Sequence, residues 1–329
     1  MILRKITALC LSATILLTIY GSCSKDAGYK KCEGMIWNTI YHITFQGPDN
    51  LGDSILPTLN RVGESLSVFD KNSLVSLLND NDSVKTDSHL KSVYEASKNI
   101  HRLSHGNFDP TVSPLIDAWG FGLGHTPSAD TLAIDSILNF IGLDKTRLEG
   151  EFIVKDDIRT RFNFSAIAKG YGCDAVGEML RRNGVENYMV EIGGELALSG
   201  KSPSSTDWKI AVDLPKEDLQ PGEETALILS LTDRGVATSG NYRNYRMENG
   251  RKTAHTISPI TGFPFFSEIL SATVIAPTCM EADGLATACM AGTPQEAEEL
   301  LKIYGAEGLL IFGDSIWMTP GFQKYISSF

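Results

Sequence analysis

TRFNFSAIAKGYGCDAVGEMLRRNGVENYMVEIGGE, residues 160–195, is the stretch that decides the fold. Thr160 to Phe164 alternates polar and aromatic residues, which predicts a strand. Small residues follow, and Ala168 to Arg182 has the composition of a helix, closed by Asn183 and Gly184. Asn187 to Ile192 predicts a buried strand that runs into Gly193-Gly194. The sequence reads as strand, helix, strand, then a tight turn.

The elements around this unit do not repeat it. Upstream, Trp37 to Phe45 predicts a strand, and Ser54 to Val68 and Asp87 to Leu103 predict helices from their apolar spacing. A further helix is expected over Asp130 to Phe140. Downstream, Trp208 to Val212, Leu227 to Leu231 and Ala272 to Ile275 are strand-like. Asp283 to Met290 and Gln295 to Tyr304 are helical, and Ala306 to Phe312 with Ser315 to Met318 predict a hairpin around Gly313 and Asp314. Without regular strand–helix alternation, this order predicts α+β rather than a doubly wound sheet. No internal repeat is visible.

The chain divides by composition into residues 1–22, a signal peptide, residues 23–33, a polar tether, and residues 34–329, one large domain or two packed lobes. Arg4 and Lys5 precede a mostly apolar run from Ile6 to Tyr20, then Gly21, Ser22 and Cys23. Charge, apolar core and small-residue zone are the layout of a secretory signal. The apolar run is about 15 residues, short of the ~20 that span a bilayer. Cys23 directly after the small residues points to a lipoprotein acylated there. An uncleaved anchor, or an ordinary signal with an incidental Cys, stays open.

Hydrophobic residues at 42% and charged residues at 21% are ordinary globular values. The formal net charge of -11 argues against nonspecific nucleic-acid binding. It does not exclude a small anionic substrate, because a bound cation reverses the local field. Cys32, Cys173, Cys279 and Cys289 are widely spaced, so neither a structural zinc site nor a disulfide framework is expected.

Four separated segments are richer in Gly, Asp and small polar residues than packing requires. In Asn107-Phe108-Asp109-Pro110, the proline holds Asp109 extended; the segment is either a rigid carboxylate mount or a turn with an aromatic plug. In Asn163 to Tyr171, a helix N-terminus and Lys169 together suit a phosphate or pyrophosphate, although a capped helix with a solvent-facing Lys fits equally. In Glu191 to Glu195, two carboxylates flank Gly-Gly, a metal or acid–base element or simply a turn. The fourth collects Ala237 to Tyr242, His255 to Gly262 and Ala282 to Thr287. There, Asp283 and Thr287 lie one helical turn apart and suit a hard cation such as Mg²⁺, or are a cap and a buried hydroxyl. His255, in a loop, is a general-base candidate or a structural His.

In order and spacing these segments resemble the ApbE family of FAD:protein FMN transferases: FDPTV, PL, WGFG, SAIAKGY, EIGGE, ATSG, H-x-x-x-P-x-T-G and A-D-x-x-A-T. The resemblance runs from about Gly34 to the C-terminus. It implies a mixed-sheet α+β fold of two closely packed lobes with the flavin site between them. It implies FAD as substrate, Mg²⁺ as cofactor, release of AMP, and transfer of FMN to a Thr or Ser hydroxyl of a target flavoprotein. Flavin contacts are implied at Trp37, Phe69, Asn107, Phe108, Asp109, Asn163, Lys169 and Ile257, with the two aromatics stacking on the FAD rings. Metal ligands are implied at Ala166 through its carbonyl, Asp283, Thr287 and the neighbouring Ala286. On this basis His255 is the expected base and Asp109 its alternative. Trp37-Asn38-Thr39, Phe69, Asn163, Asn241 and Ser258 depart from the common family residues, and fewer carboxylates surround the pyrophosphate. An FAD pyrophosphatase using water, or a non-catalytic flavin-binding lipoprotein, stays compatible. The same resemblance implies an exported lipoprotein facing the periplasm on the inner membrane.

Overall fold

The computed structural model describes residues 28–121, 131–215, 225–240, 245–248, 251–254, 257–265 and 267–328. The chain opens with β1 (Tyr29–Ile36) and β2 (Thr39–Gln46), followed by α1 (Ile55–Leu66), α2 (Leu74–Asn79), α3 (Ser88–Leu103), α4 (Ser113–Ala118) and α5 (Thr131–Leu138). A small hairpin, β3 (Thr146–Glu149) and β4 (Phe152–Lys155), leads to α6 (Ser165–Arg182), β5 (Tyr188–Ile192), β6 (Glu195–Ser199) and β7 (Trp208–Asp213). The remainder is β8 (Thr225–Leu231), β9 (Arg234–Gly240), β10 (Tyr245–Glu248), β11 (Arg251–Ala254), β12 (Ser271–Ala276), α7 (Cys279–Ala291), α8 (Pro294–Tyr304), β13 (Glu307–Ile311), β14 (Ile316–Met318) and β15 (Ile326–Ser328).

The α+β class is as expected. Eight strands form one sheet in the order β1-β2-β5-β6-β9-β12-β13-β14, and β15-β8-β7 form a second sheet. Among the described residues the sheets are antiparallel rather than mixed: every named strand pair is antiparallel. Among the described residues, parallel pairing is confined to an isolated bridge between Val112 and Arg161. Antiparallel neighbours need no crossover helix, which is why helices and strands do not alternate along the chain.

The period of the central strands explains the layers. Ala237, Val274 and Leu310 pack with the helices in one cluster, while their neighbours Val236, Ile275 and Leu309 pack with Trp208, Ile210 and Leu229 of the smaller sheet. Both faces of β12 are thus covered, and all six of its residues are buried. At the other end, Ile43, Phe45, Val190 and Ile192 meet α1 and α6. A satellite core of Leu115, Ala118, Ile134, Phe140, Ile141 and Ile257 stands apart from the main body. Trp119 Nε1 donates to the Gly262 carbonyl at 2.8 Å and ties α4 to the segment after Ile257.

Several expected boundaries move. Tyr29 to Glu33, expected in the tether, belongs to β1, with Tyr29 packed edge-on to Trp208 at 6.3 Å. β1 is an edge strand, and its lysines make it read as a linker. Trp37 and Asn38, expected to begin a strand, form the β1–β2 turn with φ of 49° and 59°. Thr160 to Phe164 is not a ladder strand. Phe162 and Phe164 stack at 5.6 Å inside the core, so their alternation reflects burial of a loop. Among the described residues no helix is long and apolar enough to cross a membrane.

Candidate active site

The site grows from the contact between α6 and α7. Gly170 makes that contact possible: a Cβ there would fall 2.4 Å from the Cys279 carbonyl oxygen. The Gly170 N–H donates to Asp283 Oδ2 at 2.9 Å. One turn toward the start of α6, the Ala166 carbonyl accepts from Thr287 Oγ1 at 3.3 Å. Thr287 Oγ1 also lies 3.5 Å from Ser239 Oγ on β9. A carboxylate, a hydroxyl and a carbonyl from different elements therefore meet where α6 begins.

The tight turn of Gly193 and Gly194, with φ of 60° and 102°, adds Glu195 to this group. Such angles fit a two-residue hairpin loop and favour Gly at both positions. Glu195 faces inward with its side chain 4% exposed, and its Oε2 lies 2.5 Å from Lys169 Nζ. Lys169 is the close partner of this otherwise unbonded oxygen. Burial, then the neighbouring Asp283 charge, pushes the Glu195 carboxyl up to about 8. Burial pushes Asp283 up to about 6 against the pull of Lys169 and the Gly170 N–H. Burial draws Lys169 down, but Glu195 and Asp283 outweigh it and hold the ammonium above its ordinary range. Two buried carboxyl groups share one ammonium, and their mutual repulsion is part of what raises Glu195.

This donor set fits a hard cation. Among the described residues no cluster of three His, Cys, Asp or Glu has metal-binding geometry. The oxygens that would hold a cation are of mixed kind, and Mg²⁺ suits such a set because it uses one or two carboxylates and completes its shell with water or phosphate.

A cleft of about 590 Å³ opens over these groups, between the main body and the satellite core. Its lining includes Asn107, Phe108, Asp109, Asn163, Ala166, Lys169, Ile257, Asp283 and Thr287, which were expected from widely separated segments, and also Glu195, Ser239 and Met290. Asn163 Oδ1 accepts from the Ser165 N–H at 3.0 Å and shapes the entry to α6. The Phe108 ring is in the core, 2% exposed, and so is not free to stack on a flat ligand. Asp109 is fully engaged: Oδ1 accepts from the Thr111 N–H (2.7 Å) and Oγ1 (2.6 Å), and Oδ2 accepts from the Leu143 N–H (3.0 Å). His101 Nδ1 lies 3.4 Å from Asp109 Oδ2 and 2.9 Å from the Phe108 carbonyl. Burial raises the Asp109 carboxyl, while His101 and these donors lower it.

Three expected site residues lie outside the cleft lining. The Trp37 ring is seated in notches of α1 and α6, where a Cβ on Gly63 or Gly172 would come within 3.0 or 2.6 Å of it. Phe69 is 64% exposed beyond the end of α1. Ala286 is wholly buried in the middle of α7, where its carbonyl serves the helix ladder. His255 lies outside the described residues; Ile257, two positions on, is in the cleft wall.

The antiparallel α+β frame and the oxygen-lined cleft at the α6–α7 contact define the class of protein. The chain belongs to the ApbE family, which it matches over residues 37–310. It is 32% identical over 325 residues, 95% of each chain, to the FAD:protein FMN transferase of Vibrio cholerae serotype O1. It is 32% identical over 283 residues, 81% of each chain, to the enzyme of the same name from Haemophilus influenzae. In three dimensions it resembles the flavin transferase ApbE of Vibrio cholerae, with a TM-score of 0.80, 29% identity and coverage of 91% of this chain and 99% of that one. The apo flavinyl transferase ApbE of Pseudomonas stutzeri gives a TM-score of 0.82 at 26% identity, covering 91% and 97%.

Proposed function

We propose that this chain is an Mg²⁺-dependent FAD:protein FMN transferase, which splits the FAD pyrophosphate, releases AMP and joins FMN to a Thr or Ser hydroxyl of a target flavoprotein. One observation carries the proposal: Asp283, Thr287, the Ala166 carbonyl and Lys169 converge on a single cleft. The names of the relatives support it.

Ala166, Asp283 and Thr287 would hold Mg²⁺, which when bound neutralises charge on the pyrophosphate oxygens. Lys169 stands beside the start of α6, so ammonium and helix end together offer positive potential to a phosphate. Ile257 and Met290 give the cleft an apolar part. His255 is assigned as the base that takes the acceptor proton, supported by the place of Ile257 in the cleft wall. Asp109 is reassigned from alternative base to anchor of the 107–111 loop, because both of its oxygens already hold N–H or O–H donors.

Cys23 is read as the lipid-bearing residue, supported by the signal-like segment before it. The enzyme then faces the periplasm from the inner membrane, where exported flavoproteins receive FMN. Replacing Cys23 with Ser should move the protein to the soluble periplasmic fraction; retention in the membrane would refute the anchor.

The deciding assay mixes the protein with FAD, Mg²⁺ and an acceptor bearing a Thr- or Ser-containing flavinylation motif. In-gel flavin fluorescence on the acceptor, with stoichiometric AMP, is the expected result. AMP and free FMN without labelled acceptor would make the protein a pyrophosphatase. Unchanged bound FAD would make it a flavin carrier.

A further inference from the structure

α6 and α7 are antiparallel and meet in a regular register. Ala166 faces Thr287, Gly170 faces Asp283, and Asp174 faces the first residues of α7. The three α6 positions are four residues apart, about 6 Å per step along the axis, so they lie on one stripe. The first two contacts carry all three oxygens assigned to the metal. The third contact carries none, and no ligand role is implied for it.

Asp174 Oδ1 accepts from the Cys279 N–H at 3.0 Å, and Oδ2 accepts from the Met280 N–H at 2.8 Å. Both donors are among the four N–H groups that a helix start leaves unpaired. α7 already has its own cap, since Thr278 and Glu281 form a reciprocal capping box. The two bonds from Asp174 therefore add what a local cap cannot, namely a fixed position of α7 against α6. They form a bidentate pair, one bond to each oxygen, which constrains rotation and axial sliding together. The close approach of Gly170 to Cys279 fixes the spacing between the axes but leaves sliding free.

We propose that Asp174 is a positioning residue for the metal centre. It pins the first turn of α7 so that Asp283 and Thr287, one and two turns further along, face the Ala166 carbonyl. A slide of one residue would shift them by about 1.5 Å, enough to break an octahedral oxygen shell. This inference rests on the metal assignment made above.

The test uses the full-length protein and Mn²⁺, whose free ion is counted by electron paramagnetic resonance without FAD or turnover. Wild type should bind Mn²⁺, and Asp283→Ala should lose it; if either fails, the metal assignment falls. Given both, Asp174→Ala should weaken Mn²⁺ binding by about 10-fold or more, as removal of residues that orient ligands does. Asp174→Asn, which keeps one acceptor, should fall between Asp174→Ala and wild type. Hydrogen exchange should show faster exchange at the Gly170 amide in both variants, because that amide depends on the position of Asp283. Mn²⁺ affinity within twofold of wild type in a folded Asp174 variant would overturn the proposal and leave Asp174 as a second cap. If Asp174→Ala does not fold, Asp174→Asn decides by the same criteria.

Discussion

The two walls of the cleft are made differently. The main-body wall presents Lys169, Glu195, Asp283 and Thr287, each held by a helix or strand end rooted in the core. The opposite wall rests on a satellite core with six buried residues among those described, held together by the Trp119–Gly262 bond. Chemistry sits where position is over-determined; shape sits where few contacts set it. Damage to the first wall should therefore lower the rate, and damage to the second should lower affinity.

The sharpest break in that division is Asp283→Asn. The amide oxygen can still accept from Gly170, so the fold should survive while the ligand charge is lost. Turnover followed by AMP release should fall about 10³-fold, or about 4 kcal/mol of transition-state stabilisation. Gly170→Ala attacks the same wall through packing. Its methyl meets backbone rather than a movable side chain, and should cost about 1–3 kcal/mol in urea unfolding with activity falling in parallel. On the satellite side, Trp119→Ala should raise the KM for FAD about 10-fold with kcat changed less than threefold. An equal loss in kcat would show that the walls do not divide the work.

The smallest expected effect is in pH. Burial lifts Asp283 to about 6 and Glu195 to about 8, so protons compete with a cation for these carboxylates. The Mg²⁺ concentration for half-maximal activity should fall a few-fold as pH rises through 6. The metal-free protein should behave oppositely. Its folded carboxyls bind protons more tightly than the unfolded ones, so its stability should decline as pH rises from about 4.5 to about 8. Thermal melts with and without Mg²⁺ check both signs.

Much of this was legible in the sequence. The segments around Asn107, Asn163, Asp283 and Ile257 were singled out for composition and do meet at one cleft. The Asp283–Thr287 spacing gave the shared helix face directly. Glu195 was noticed beside Gly-Gly but not assigned to the site, because a carboxylate after a turn usually faces water. Only the pairing of β5 with β6, and of β6 with β9, turns it inward. His101 carries no local signal, since its partners Phe108 and Asp109 lie beyond the end of its helix. Arg234 to Gly240 carries no strand signal in the sequence, because Ala, Thr, Ser and Gly lack the bulk of a typical strand. Small residues are required there by the close approach of α7: a Cβ on Gly235 would lie 2.1 Å from the Cys279 nitrogen.

The hairpin of β1 and β2 also sets a distance. The described chain enters the sheet at Tyr29, while the far end of the hairpin touches the cleft, where the Gly193 N–H donates to the Ile40 carbonyl. Eight residues of strand at about 3.3 Å each separate the two ends by roughly 26 Å. The hairpin thus has the entry of the described chain at one end and the cleft at the other. A substitution at Tyr29 therefore acts on the sheet edge, roughly 26 Å along the strand from the cleft, rather than on the cleft itself.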